Sequence, residues 1–500
     1  MPSGWLSPRG RVLGRAGIGV LSWVIPAGLV DEAVADGLAW EVRLRELPAR
    51  VAVYFTLGLC LFSGLPYGQV VRRVVSGLEA ALAGAGWAVP SATALTGARR
   101  RAGEQPLKSV FTRLCSALSP GRAPWSHLGG LLVVAWDGTT LAVPDTPACA
   151  AAFGRPGAGR RRGPDAAARE PGAQFPQARL VALVACGTRG LLGAALGPVR
   201  GPGSGEGVLA RDLLPALRAG MLLLADRGFY SYFLWTAAAA TRADLLWRAR
   251  ADLRLPPLLV LPDGSWLSRV TAPQREPRAA PGPRARRRGP QPPPVTVRVI
   301  EFLVTVSGDD GGSRTERYRL VTTLTGHRAF PAAALAACYA RRWAAETAYA
   351  ELKTSLLGPG RVLRSRTPDL ARQEIWAALA VYQAIRILIA RAAAGAGIDP
   401  GRISFTAALD ACRRSLTAGR PAAALAALEA EITSPRALVP HRPGRIAPRA
   451  VKRPRSGFPM QRQPPGQTLT RHASYAITIT PPATTSNQRK HAQAAPASPP

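Results

Sequence analysis

Four residues in the second half of the chain carry side chains that suit the chemistry of phosphate esters. Tyr339, Arg342, Glu346 and Lys353 are separated by three, four and seven residues. At about 100° per residue these positions fall within about 60° of one helical face. The carboxylate can bind a metal ion, and the two cations and the phenol can bind phosphate. A salt-bridged, solvent-exposed face is the alternative interpretation of this stripe.

Two aspartates follow apolar runs that predict buried strands. Asp137 follows Leu131–Trp136 and precedes Gly138, and Asp226 follows Met221–Ala225. A carboxylate at the end of a buried strand either binds a ligand or loses solvation energy. Each has an ordinary alternative, an Asp-Gly turn for Asp137 and a helix N-cap for Asp226. Two carboxylates at the ends of neighbouring strands are compatible with a metal site but do not specify one.

The elements around these residues predict a mixed α/β sheet with a β-rich insertion. The first group is strand 131–143, strand 179–186, strand 191–196, helix 208–217, strand 221–225, helix 230–240 and strand 244–248. The insertion spans 253–326, with strands at 258–261, 295–306 and 317–324. Helices are then predicted at 331–356, 370–394, 404–416 and 422–432.

Residues 1–120 predict an all-helical N-terminal domain. Its most DNA-like part is a helix at Tyr67–Leu82, a glycine-containing turn, and a second helix opened by Ser91 as an N-cap. This second helix carries Arg99, Arg100 and Arg101, which we expect to contact DNA. A charged face on an ordinary helix bundle explains the same pattern equally well.

The charge balance points to a polyanionic partner. The 500 residues include 65 Lys+Arg and 30 Asp+Glu, which gives a formal net charge of +35. Such a surplus is typical of nucleic-acid binding and unusual for an enzyme of small metabolites. The segment 436–500 has ten basic residues after Pro440 and no acidic one, and it predicts a largely unfolded tail that acts electrostatically.

The cysteine content and the N-terminus favour the cytosol. Six scattered cysteines without a C-x-x-C pattern predict neither a zinc site nor a disulfide framework. The N-terminus imitates a secretory signal, but Pro26 interrupts its apolar run and Asp31 and Glu32 crowd the cleavage site.

The motifs together resemble the IS-four family of insertion-sequence transposases, members of the DDE superfamily. The resemblance covers about Leu29 to Ile432. It rests on five motifs in the family's order: Asp137-Gly138-Thr139 with Pro144-Asp145-Thr146-Pro147, Phe153-Gly154-Arg155-Pro156, Phe175-Pro176-Gln177-x-Arg179-Leu180, Ala225-Asp226-Arg227-Gly228-Phe229, and Tyr339-x-x-Arg342-x-x-x-Glu346-six residues-Lys353.

This resemblance implies a ribonuclease-H-like catalytic core in residues 128–252 and 327–435, with the β-rich insertion between the second Asp and the Glu. It also implies that Asp137, Asp226 and Glu346 bind two Mg²⁺ ions, with Mn²⁺ as an alternative metal. Tyr339, Arg342 and Lys353 would then handle the DNA beside the scissile phosphate.

The function implied is that of a DNA transposase, which cleaves the ends of its own insertion sequence and transfers the freed strand into target DNA. Its partners would be the terminal inverted repeats and target DNA, bound by a homodimer in the synaptic complex and not at a membrane. We expect a bacterial cytoplasmic, nucleoid-associated protein. A catalytically inactive or domesticated DNA-binding relative, and a structure-selective nuclease on the same fold, are the alternatives.

Overall fold

The computed structural model describes residues 16–37, 47–76, 78–84, 86–117, 123–156, 175–250, 252–272, 292–308, 313–417, 421–439 and 473–482. Their α-helices, in chain order, are α1 Leu21–Val24, α2 Ala27–Asp36, α3 Ala49–Leu61, α4 Tyr67–Val74, α5 Glu79–Gly84, α6 Ala92–Ala102, α7 Gln105–Ala117, α8 Pro147–Phe153, α9 Glu206–Arg211, α10 Tyr232–Ala240, α11 Ala332–Tyr339, α12 Trp343–Ala350, α13 Pro368–Ala396, α14 Phe405–Arg414 and α15 Pro421–Thr433.

The strands are β1 His127–Leu128, β2 Leu131–Ala142, β3 Gln177–Ala185, β4 Leu191–Pro198, β5 Met221–Ala225, β6 Asp244–Arg248, β7 Leu259–Val260, β8 Trp266–Val270, β9 Val295–Gly308, β10 Ser313–Thr322 and β11 Ala473–Ile479. This succession confirms the mixed α/β class and the helical N-terminal region. Strand β8 was not predicted. The predicted helix at 208–217 is shorter, since α9 is followed by a separate 3-10 turn at Leu214–Ala216.

The chain divides into two compact units. The first comprises Met1–Leu224 with Arg341–Pro440, and the second comprises Ala225–Ala340 with His441–Pro500. This division differs from the predicted domains, because the N-terminal helices belong to the same unit as the first strands.

The sheet of the first unit has the order β4-β3-β2-β5. Strands β4, β3 and β2 are antiparallel neighbours, and β5 runs parallel to β2 with Ala135 opposite Leu224. Residues 132–136 of β2 and all of β5 are buried, which explains their continuous apolar sequence. The pairing of β2 with β5 ends two residues before Asp137.

Helix α13 is the central helix of the first unit, where α3, α7, α14 and α15 pack against it. Gly397 follows it in the left-handed conformation, the usual way to end a long helix. Its 29 residues are long and apolar enough to cross a membrane by length and composition, but 83% of the apolar window is buried inside the protein. We therefore interpret α13 as a core helix.

The second unit contains an antiparallel sheet in the order β6-β10-β9-β8-β7. Strand β8 pairs with the first residues of β9, and β11 pairs with its later part, Phe302–Gly308. β11 lies in the segment that we predicted to act only electrostatically, so that prediction is wrong for Ala473–Ile479. The alternation of Tyr475, Ile477 and Ile479 with small or polar residues suits a strand. Most of the predicted tail lies outside the described residues.

Candidate active site

Asp137 lies where β2 changes from buried to half-buried. Its side chain is 18% exposed, and one of its oxygens, Oδ1, accepts a hydrogen bond from the amide of Gly138 at 3.0 Å. Burial raises the pKa of Asp137 to about 6, although the nearby Arg342 and the Gly138 amide act in the opposite direction. Burial disfavours the ionised form of this carboxylate, and a nearby cation stabilises that form. A bound metal ion would be such a cation.

Three different helical geometries hold the motif that begins at Tyr339. Helix α11 is followed by a 3-10 turn at Ala340–Arg342, then by α12, and then by a π-helical segment at Glu351–Leu356. The predicted helix at 331–356 is therefore present, but the assumption of 100° per residue does not hold through its whole length. A π-helical segment inside a helix is often found at functional sites.

Arg342 lies between two of the predicted catalytic carboxylates. Its Nη2 donates to Oε1 of Glu346 at 2.8 Å, and its Nη1 lies 3.9 Å from Oδ1 of Asp137. Arg342 is 9% exposed, whereas the Glu346 side chain is 39% exposed. Two acidic residues that are more than 200 positions apart therefore share one guanidinium.

Lys353 reaches the same strand from the π-helical segment. Its Nζ donates to Oγ1 of Thr139 at 3.2 Å, and burial lowers the pKa of the amine. Thr139 is two residues beyond Asp137, so the two side chains leave β2 on the same face. Lys353 therefore places a cation on the face of β2 that carries the Asp137 side chain, without being a metal ligand itself.

Two residues close to Asp137 were missed by the sequence analysis. The hydroxyl of Tyr349 donates to the carbonyl oxygen of Asp137 at 2.6 Å and accepts from the amide of Ala182 at 3.0 Å. Glu206, the first residue of α9, packs against Gly138, where an added Cβ would lie 2.5 Å from its Oε1. The sequence signals for both residues are weak, since Tyr349 is marked only by its spacing of three residues from Glu346 and Glu206 lies within the glycine-rich stretch 201–207.

Tyr339 and Asp226 lie in the second unit. Tyr339 is 6% exposed, its hydroxyl donates to the carbonyl oxygen of Ala225 at 3.3 Å, and its ring meets Tyr318 edge to face. Asp226 follows Ala225 directly and is half-buried. The burial of the Tyr339 phenol favours a role in supporting the chain next to Asp226 over direct contact with DNA.

Arg99 is fully buried, so the prediction that it contacts DNA is wrong. Its guanidinium donates to Gln373, Tyr67 and Ser365 at 2.9–3.0 Å and to the carbonyl oxygen of Leu370 at 3.3 Å. Arg100 and Arg101 are exposed on the same helix and remain candidates.

The predicted helix-turn-helix is partly present. Ser91 caps α6 by accepting from the amide of Ala94, as predicted. The predicted helix at Tyr67–Leu82 is divided into α4 and α5.

The described residues contain no group of three His, Cys, Asp or Glu side chains close enough to hold a metal ion. Asp137 and Glu346 nevertheless have the donor chemistry of a hard-cation site, because both offer carboxylate oxygens and both lie beside one cationic group. The residues present therefore fit a divalent ion by ligand type.

Two family profiles match the chain. The profile described as transposase DDE domain matches residues 128–384, more than half of the chain, and the one described as insertion element 4 transposase N-terminal matches residues 15–112.

Two proteins of Escherichia coli (strain K12) are similar in sequence. Transposase InsG for insertion sequence element IS4 is 28% identical over 433 residues, which cover 85% of this chain and 89% of that protein. Putative transposase InsZ is 28% identical over 207 residues, which cover 41% of this chain and 62% of that protein. Among solved structures, the piggyBac transposase synaptic complex with hairpin DNA aligns with 83% of this chain and 82% of its own, with a TM-score of 0.42 and 10% identity.

Proposed function

Because the chain belongs to the IS-four family of DDE transposases, we propose that it cleaves DNA at the ends of its own insertion sequence and joins the freed end to target DNA. Enzymes with this domain depend on divalent metal ions in general. We propose Mg²⁺, with Mn²⁺ as an alternative, held by Asp137, Asp226 and Glu346.

The observation that carries this proposal is the position of Arg342, which is 2.8 Å from Glu346 and 3.9 Å from Asp137. Because both carboxylates contact one guanidinium, they lie near each other, as the ligands of one metal site must. Asp226 is included because Ala225-Asp226-Arg227-Gly228-Phe229 resembles the family's second acidic motif.

Bound metal ions would stabilise the attacking and leaving oxygens of an in-line phosphoryl displacement. The chain's own cations have a different task. Arg342 and Lys353 offset phosphate charge beside the carboxylates, and Arg342 can do so with two parallel hydrogen bonds. Tyr339 supports the chain at Ala225. No covalent intermediate with the protein is needed, because water and then the freed 3′-hydroxyl are the nucleophiles.

DNA is the macromolecular partner of a transposase, and we propose that the terminal inverted repeats are recognised by the helical N-terminal region. Its exposed Arg100 and Arg101 are the candidate contacts. We also propose a homodimer on paired ends and a cytoplasmic, nucleoid-associated location. The catalytically inactive alternative has no support, since the acidic triad and the four-residue motif are all present.

The test is single replacement of each acidic residue. Asp137→Ala, Asp226→Ala and Glu346→Ala should each abolish Mg²⁺-dependent nicking of an inverted-repeat duplex while the variants still fold and bind that duplex. Asp252→Ala is the matched control, because Asp252 is an exposed acidic residue that pairs with Arg250. Retention of Mg²⁺-dependent nicking by any one of the three variants would remove that residue from the proposed site.

A further inference from the structure

We propose that Tyr349 is a positioning residue that fixes the backbone of Asp137 relative to the helix carrying Glu346. This inference rests on the proposed function, in which both carboxylates bind metal. It concerns a residue outside the acidic triad and outside the four-residue motif.

The Tyr349 hydroxyl makes two hydrogen bonds in opposite directions. It donates to the carbonyl oxygen of Asp137 at 2.6 Å and accepts from the amide of Ala182 at 3.0 Å. A phenol has one proton to donate, so these contacts define both its donor and its acceptor role. The residue is 6% exposed, which leaves little water to replace either bond.

The two backbone groups belong to residues that pair across the sheet. Asp137 on β2 is the cross-strand partner of Ala182 on β3. One side chain therefore links two strands at the residue that carries the first carboxylate. A regular antiparallel sheet satisfies such groups from strand to strand and needs no side chain for the purpose. The Tyr349 phenol therefore adds a link between β2 and β3 that a regular sheet does not contain.

Tyr349 also connects the strand to the helix that carries the third carboxylate. Glu346 and Tyr349 are three residues apart on α12, so their side chains leave neighbouring positions on its surface. A shift of α12 against β2 must break at least one of the two hydrogen bonds. The tether thus limits the change in spacing between the Asp137 and Glu346 carboxylates. This spacing matters because Mg²⁺ tolerates little departure from its preferred geometry.

The test compares Tyr349→Phe with Tyr54→Phe. Tyr54 is a matched control because it is also a buried phenol that donates to a backbone carbonyl, that of Ile25 at 2.9 Å, and it lies on α3. Both variants keep the aromatic ring and lose one hydroxyl. Any general loss of stability from removal of a buried phenol hydroxyl should therefore appear in both.

The first readout uses the metal-free protein. Hydrogen exchange of a peptide containing Ala182 should become about tenfold faster in Tyr349→Phe, in line with the loss of one hydrogen bond. It should be unchanged in Tyr54→Phe. Unchanged exchange in Tyr349→Phe would overturn the tether whatever the metal does.

The second readout is Mn²⁺ binding measured by calorimetry without DNA. Tyr349→Phe should bind Mn²⁺ about tenfold more weakly, as is common when a residue supporting a ligand is lost. The Mg²⁺ concentration for half-maximal cleavage should rise in parallel, with the KM for DNA unchanged.

Two results would contradict the positioning role: wild-type Mn²⁺ affinity in Tyr349→Phe, or an equal loss in Tyr54→Phe. If the wild-type protein binds Mn²⁺ no better than Glu346→Ala does, the proposed metal site fails instead, and the exchange result still decides whether the tether exists.

Discussion

Arg342 and Glu346 form an ion pair across one turn of the same helical run, with Nη2 of the guanidinium 2.8 Å from Oε1 of the carboxylate. The other terminal nitrogen of Arg342 lies 3.9 Å from Asp137. The two carboxylates proposed to bind metal thus have a protein cation beside them. Arg342 can pair with these carboxylates or with phosphate, and both roles suit a planar guanidinium with several donors.

Replacement of Arg342 should separate metal binding from DNA cleavage. At pH 8, where Asp137 is ionised, Arg342→Ala should bind Mn²⁺ about tenfold more tightly, because a neighbouring positive charge is removed. Cleavage of an inverted-repeat duplex should fall, since a phosphate-binding cation is lost. Arg342→Lys should recover part of the cleavage only. Calorimetry without DNA and a cleavage assay measure the two effects. Weaker Mn²⁺ binding in Arg342→Ala would show that the arginine supports the carboxylates and does not compete with metal.

Replacement of Arg99 should affect the stability of the protein, whereas replacement of Arg100 and Arg101 should affect DNA binding. Arg99→Ala should lower the free energy of unfolding by about 3 kcal/mol, because several buried hydrogen bonds lose their donor. The pair Arg100→Ala and Arg101→Ala should leave stability nearly unchanged and flatten the salt dependence of inverted-repeat binding by about 0.9 per lost phosphate contact. Thermal unfolding and binding at several salt concentrations test this. An unchanged salt slope in the double variant would exclude these two arginines from the interface.

The carboxylates of the proposed site and the basic residues around them were predicted from different kinds of sequence signal. Asp137 and Asp226 became candidates because each follows an apolar run, but it was the family resemblance, and not this local pattern, that selected them as metal ligands. Arg99 was misassigned because three consecutive arginines on a helix point in three directions, and no composition rule says which of them faces the core. Tyr349 was missed because its partners are backbone atoms of Asp137 and Ala182, and these contacts exist only once β2, β3 and α12 are assembled.

Lys353 should contribute to cleavage without contributing to metal affinity. Lys353→Ala should reduce cleavage and loosen the cleaved-end complex, because an ammonium beside the site is lost. Thr139→Val should have a smaller effect in the same direction, since it removes only the hydroxyl that Lys353 contacts at 3.2 Å. Lys108→Ala is the matched control, because Lys108 is a lysine of α7 whose ammonium lies over the ring of Trp376 and not at the proposed site. Mn²⁺ titration of the free protein should give the wild-type affinity in all three variants, because Lys353 contacts Thr139 and, unlike Arg342, is not among the charges that shift the pKa of Asp137. Normal cleavage by Lys353→Ala would make this lysine a structural residue.

A side chain at position 138 should be destabilising while Glu206 is present. A Cβ at this position would lie 2.5 Å from Oε1 of Glu206, and Arg179 holds that oxygen at 2.9 Å. Gly138→Ala should therefore lower the free energy of unfolding by about 1–3 kcal/mol. Glu206→Ala in the same chain should restore part of that loss. A double-mutant cycle measured by chemical unfolding gives the coupling directly. Additive effects of the two changes would show that Glu206 moves aside without resistance.

Some strands of the fold were predicted from their local sequence, and others were not. Strands β5 and β6 were predicted with the boundaries that the structure has, because a short apolar run limited by turn residues suffices to define them. The order of such elements predicted a mixed α/β sheet, and the antiparallel β4-β3-β2 group with β5 parallel to β2 confirms it. The ribonuclease-H-like class was implied by the family resemblance. Strand β11 was missed because it lies in a proline-rich, basic segment whose average composition hid seven alternating residues.

Strand β11 should stabilise the second unit, and its removal should be detectable on β9. A chain that ends at residue 472 loses the partner of Phe302–Gly308, so the backbone groups on that side of β9 become an unpaired edge. It also loses Ile479, whose Cγ2 lies close to Gly264 in the turn between β7 and β8. We expect a melting temperature lower by about 4 °C or more, faster hydrogen exchange at 302–308, and a greater tendency to aggregate. A chain that ends at Pro482 keeps the strand and serves as the control, with wild-type values in all three measurements. If the two truncated chains melt at the same temperature and exchange at the same rate over 302–308, then β11 does not stabilise the insertion, and its role would be limited to the charge that the surrounding segment carries.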